Sequence, residues 1–233
     1  YEKGEEFAIY VSGEADNSFD PGDFIEFYAI GDDGWLDKIL YKNSHEQTNP
    51  NYSLYQDSLP YFLTWETSTT GIRMEQKTNT ITSSKTDSFY LETKYFNYSS
   101  NFYLGIPNNN DPLSSYSTFV EGKGFHKWIW SHLSKTPIEL PDFFANGPDT
   151  KIKFKAYSAT HNTSAIINGF NHDFTISLNK TDNKVYSRKT LGHALINDSI
   201  FINSQDLSNI INLYIGDNTF SSSGINLTYI IAE

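Results

Sequence analysis

The chain has 233 residues, 38% of them hydrophobic, with a formal net charge of -11 and no cysteine. It is long enough to bury a sizeable core in one large domain or two ordinary ones, and without Cys it has no thiol nucleophile, disulfide framework or thiolate zinc site of its own. The acidic balance leaves no Lys/Arg face for nucleic acid or an anionic membrane, and no apolar run approaches the roughly 18 residues that span a bilayer, so neither nucleic-acid binding nor membrane insertion is expected.

Aromatic residues make up 16% of the chain, as 17 Phe, 16 Tyr and 4 Trp, among abundant Asn, Ser and Thr. Aromatic and β-branched side chains suit a half-buried pleated surface and small polar ones suit turns, so the composition predicts an all-β protein. In chain order, short runs at 7–11, 24–30, 36–41, 61–66 and 89–96 read as strands separated by Gly, Pro, Asn and Asp. Within 24–30 the two-residue period places Ile25, Phe27 and Ala29 on one face, with Ile25 and Phe27 expected in the core, and Gly31-Asp32-Asp33-Gly34 supplies a hairpin turn before 36–41.

The second half alternates more cleanly. Ile152, Phe154 and Ala156 face away from Lys151, Lys153 and Lys155; Phe174, Ile176 and Leu178 follow the same rule, with Asp182-Asn183 as a turn before Val185-Tyr186. Ile211, Leu213 and Ile215 share a face, and Ile225, Leu227, Tyr229 and Ile231 form another such row; a helix or turn is expected near Ser204–Leu207. The breaker-rich stretch 108–124 predicts a boundary, giving two antiparallel β-sandwich domains, 1–120 and 121–233, the second jelly-roll-like.

Two stretches invite a chemical reading. Asp16, Asn17, Asp20 and Asp23 offer oxygens of the kind calcium accepts, so Asp16, Asp20 and Asp23 are the calcium candidates of an adhesive-domain reading; the spacing is not that of an EF-hand, and Pro21-Gly22 already accounts for a turn. In Phe125–His132 a strand period puts Trp128 and Trp130 on one face with His126, either as a stacking platform for a sugar or as core, and the large apolar area of an indole favours core. His45, His161, His172 and His193 are scattered and suggest neither a metal cluster nor a catalytic dyad, and no nucleophile-elbow, zincin, P-loop or dinucleotide fingerprint occurs. Six N-x-S/T triplets begin at Asn51, Asn97, Asn162, Asn179, Asn197 and Asn226, and a chain this rich in Asn, Ser and Thr produces most of them by chance.

Four phrases stand in a telling order: "FDPGDFIEFYA" at 19–29, "LDKILYKNSHEQTNPNYSLYQDSLPYFLTWET" at 36–67, "YFNYSSNFYLG" at 95–105 and "VEGKGFHKW" at 120–128. Together they resemble the region that precedes the catalytic domain in gingipain-type cysteine peptidases of Bacteroidetes, in particular the type IX secretion sortase group. The block from Asn49 to Trp65 is the most specific part. The resemblance implies a sandwich region followed by a caspase-like domain whose Cys and His do the chemistry, so no catalytic residue carries over and this chain is expected not to be an enzyme. It also implies an exported parent protein at the cell surface or outer membrane periphery, and as partners the downstream peptidase domain and other surface proteins. The expected function is a non-catalytic accessory region that supports or positions the peptidase domain, with no cofactor. The alternative is a carbohydrate-binding jelly-roll module using Trp128 and Trp130.

Overall fold

The computed structural model describes residues 4–31, 33–69, 71–78, 88–105, 119–129, 133–159, 171–219 and 224–233. The chain is all-β: its described residues form three antiparallel sheets, with short 3-10 turns between strands. Among the described residues no helix is long and apolar enough to cross a membrane. Contacts divide the chain into two units, Tyr1–Asp32 with Tyr55–Thr86, and Asp33–Leu54 with Asp87–Glu233. They thus group 33–54 with the C-terminal half; most of the expected boundary stretch at 108–124 falls on 106–118, outside the described residues.

The second unit holds the sandwich. Its strands are β3 (Lys94–Asn97), β4 (Asn101–Tyr103), β5 (Gly124–Ile129), β6 (Ser134–Glu139), β7 (Thr150–Ala159), β8 (His172–Leu178), β9 (Lys184–Thr190), β10 (Ala194–Ile202), β11 (Ile210–Asp217) and β12 (Gly224–Ala232). One sheet runs β10-β7-β12-β5-β4, with β3 also on β12, and the other runs β6-β11-β8-β9. The pairs β5·β12, β6·β11, β7·β10 and β8·β9 are nested, first with last and innermost with innermost, and β12·β7 and β11·β8 close each sheet. A long double ribbon rolled in this way is a jelly roll.

The alternation read from the sequence sets the inner faces. Ile152, Phe154 and Ala156 of β7 meet Phe174, Ile176 and Leu178 of β8 and Ile211, Leu213 and Ile215 of β11 in one buried cluster. Phe154 lies 5.8 Å from Phe174 and 4.9 Å from Tyr186, tilted and edge-on respectively, geometries that aromatic quadrupoles favour. Strand β12 departs from the expected row. A bulge between Leu227 and Tyr229 shifts the register by one, so Ile225, Leu227, Ile230 and Ala232 enter the core while Tyr229 and Ile231 turn to the other face.

The first unit is built differently. Of the expected first sandwich, its described residues show one two-stranded sheet, β1 (Tyr10–Ser12) against β2 (Phe24–Glu26), with Ile9 also bridged to Arg73. Phe27, expected in a core, is 41% exposed, with the rings of Phe7 at 5.8 Å and Tyr61 at 5.3 Å beside it. With no second sheet opposite among the described residues, two short strands do not enclose a side chain. The expected strand at 36–41 is instead a 3-10 turn over Leu36–Leu40, because the Asp37 carboxylate, 5% exposed, accepts the Leu54 N–H at 2.6 Å and the Ser53 hydroxyl at 3.4 Å. A side chain bound to backbone in this way competes successfully with a strand. The expected strand at 61–66 has no ladder partner either. The turn near Ser204 is present as a 3-10 turn at Ser204–Asp206, capped by the Asn203 side chain.

Candidate functional site

Three places in the second unit gather chemically capable side chains. The first is the outer face of the larger sheet, where strand alternation aims Lys155 and Tyr157 of β7, Asn226 of β12 and His126 and Trp128 of β5 away from the core. In register, Asn226 lies between Tyr157 and Trp128. Around Lys155, Tyr157, Asn226 and His126 this face is covered. The Gln47 carbonyl accepts from Lys155 Nζ at 2.6 Å, and the Tyr41 and Thr48 hydroxyls both donate to the Lys123 carbonyl at 2.5 Å. Gly124, at φ +150, fits against Thr48, whose atoms would stand 3.0 to 3.3 Å from any added Cβ.

Enclosure shifts the ionisable groups. Burial lowers Lys155 to about 8, opposed by the Glu121 carboxylate, and lowers His126 to about 4, opposed by the Gly124 carbonyl. Burial and then Glu121 raise the Tyr157 hydroxyl, which is 1% exposed. At neutral pH, His126 is therefore an uncharged imidazole beside the Tyr103 ring at 5.9 Å and the Trp128 ring at 6.2 Å.

The second gathering lies at one end of the smaller sheet. His172 Nδ1 sits 2.6 Å from Asp217 Oδ2, both side chains fully enclosed. The Asp173 and Thr219 N–H groups donate to Asp217 Oδ1 at 2.9 and 3.0 Å, and the Thr219 hydroxyl donates to it at 2.8 Å. Burial alone would raise this acid, yet the hydrogen bond to His172 and the three donations from Asp173 and Thr219 together hold it below the usual carboxylate range. A His–Asp pair is also the orienting half of a hydrolytic triad. Here, however, it is sealed: neither side chain has any exposed surface, and Asp217 Oδ1 is taken up by the Asp173 and Thr219 donors. The geometry ties the start of β8 to the end of β11.

The third is a cleft of about 300 Å³ at one end of the jelly roll, where the β6–β7 connection passes the approach to β3 and the end of β12. Phe89 and Phe144 stack at 5.7 Å and 19° on its wall, and Phe143 packs behind against the core. The connection is fixed in place, since the buried Ser204 hydroxyl lies 3.0 Å from the Ala145 carbonyl and 2.9 Å from that of Gly147. Asp142, Asp149, Glu92 and Glu233 line the cleft; Lys94 is paired with Glu92 at 2.5 Å, and Lys153 is paired with Glu233.

The residues singled out in the sequence are placed as follows. Trp128 is half-buried, with Gly224 held close against its indole, and it does share a face with His126; Trp130 lies outside the described residues. Asp16 accepts from the Ser18 N–H at 3.0 Å, Asp20 from the Ser18 hydroxyl at 3.1 Å and Asp23 from the Asp20 N–H at 2.7 Å, so all three organise turns. Among the described residues no group of three or more His, Cys, Asp or Glu is placed to hold a metal ion. His193 meets the Tyr103 hydroxyl at 3.1 Å, and His161 lies outside the described residues. Sequence reading missed the cleft, although Phe143-Phe144 between Pro141 and Pro148 was a usable signal: a polar connection has no need of two adjacent aromatics.

No protein family matches the chain, and no curated protein does.

Proposed function

We propose that this chain is a non-catalytic accessory region that supports or positions a gingipain-like, sortase-like peptidase domain following it in an exported surface protein. What carries the reading is the part played by the phrase at 36–67. Asp37 ties the Leu36–Leu40 turn to Leu54, Gln47 and Thr48 roof the larger sheet, and Asn49 donates to Asn97 at 2.9 Å. The residues that bear the family resemblance thus do architectural work, as a support region requires. The enclosure of His172 and Asp217 adds to this, because a reacting group must be reachable by its substrate. Reading the gene beyond Glu233 tests the proposal. A caspase-like domain with a Cys and a His is the expected finding, and a frame that continues without one overturns it.

The jelly-roll topology favours a second reading, a carbohydrate-binding module, though a fold of this kind hosts many functions. Its own test is a glycan array, on which retained glycans whose signal falls in Trp128→Ala support the module and a blank array rejects it.

A further inference from the structure

The cleft beside the β6–β7 connection combines three features that select one kind of ligand. Its walls are aromatic and apolar: Phe89 and Phe144 are 42% and 41% exposed, so their rings remain available to a bound molecule. The walls are also preformed, because Ser204 holds the connection and Phe143 anchors it to the core. At the mouth, Glu92 is paired with Lys94 and Glu233 with Lys153, whereas Asp142 and Asp149 enter no ion pair among the described residues. The cleft therefore presents an excess of two negative charges beside ring faces.

Ring faces carry negative potential and attract a cation within about 6 Å, more strongly as water is excluded. Carboxylates at the rim act in the same direction, and the chain's net charge of -11 raises the local concentration of cations at its surface. A neutral sugar fits less well, since its hydroxyls need donors as well as acceptors, and the one ammonium on the wall, Lys94, is already committed to Glu92. We infer that this cleft binds a small organic ammonium compound, its apolar body against Phe89 and Phe144 and its charged nitrogen between Asp142 and Asp149. A volume of about 300 Å³ suits a ligand with one ring and a short amine arm.

The probe is phenethylammonium, with 3-phenylpropionate as a partner of similar shape and opposite charge and maltose as a neutral sugar, each titrated calorimetrically into the 233-residue chain. Saturable binding of the cation, weakened by added salt, with neither control binding, is the expected result. The Asp142→Asn, Asp149→Asn double variant should bind about tenfold more weakly, and Phe144→Ala severalfold more weakly, with circular dichroism spectra unchanged because both carboxylates are at the surface. Equal affinity for the anion, binding of maltose alone, no binding of the cation, or full affinity in the double variant would each overturn the inference. The comparison of cation with anion needs no variant, so it stands even if a substitution disturbs folding. The accessory-region reading is untouched by either result, because that rests on what the gene encodes beyond Glu233.

Discussion

Individual side chains in the second unit carry a pH response whose sign can be worked out. His126 titrates near 4 in the folded chain against an ordinary 6.5. Between those values the unfolded chain holds a proton that the folded one refuses, so stability is complete above about 6.5 and falls as the pH drops towards 4. Asp217 acts in the same direction: its folded value is depressed, so its contribution is present above the unfolded carboxylate value and is lost as the pH falls through the folded one. Lys155 governs the opposite end. With a folded value of about 8 against 10.5, it makes stability rise with pH across that interval, where the unfolded chain alone stays protonated. Urea unfolding from pH 4 to 10 should show both slopes, and His126→Gln should flatten the acid one. A wild-type profile that is level from pH 4 to 6.5 would contradict the enclosure of His126.

At the scale of elements, the β12 bulge decides which side chains are core. After Leu227 the shifted register buries Ile230 completely, while on β10 Phe201 points outward and is 68% exposed. Ile230→Ala should therefore cost about 2–5 kcal/mol in chemical denaturation, as deletion of a fully enclosed aliphatic side chain does. Phe201→Ala should stay within about 0.5 kcal/mol despite removing a larger side chain. A reversed ranking would mean that the register shift is misplaced. The turn at Leu36–Leu40 teaches a related lesson: its apolar residues suit a strand, and one buried carboxylate 17 residues from its backbone partner redirects them.

Over the whole molecule, stability is distributed unevenly. The second unit has two sheets facing each other across a closed core, with β12 held between β7 on one side and β5 and β3 on the other. Among its described residues the first unit has a single pair of three-residue strands, and Phe19, Phe62 and Trp65 remain 64%, 65% and 88% exposed. Two strands without an opposing layer are marginal, and segments with few buried contacts open at free energies far below the global value. Native-state hydrogen exchange should find Val11 and Ile25 amides exchanging through local opening, while those of Phe154 and Ile230 exchange only with global unfolding. Equal protection of the two groups would refute this division.

The residues show why some of this was legible and some was not. Period-two alternation is a property of neighbours along the chain, so the facing of Phe154, Phe174 and Leu213, and with it the all-β class, could be read directly. The order in which the strands pair could not be, since pairing β5 with β12 joins residues about a hundred positions apart. What tertiary structure alone decided was enclosure. Nothing local marks Lys155 as buried under Gln47, His172 as sealed against Asp217, or Phe144 as brought onto Phe89, because burial depends on which distant segment lies on top. The sequence by itself determined the direction each side chain takes from its strand, through backbone geometry. Whether that direction leads into core, roof or open cleft was settled by packing between segments far apart in the chain, where removal of water from a charge or a ring also sets its chemistry.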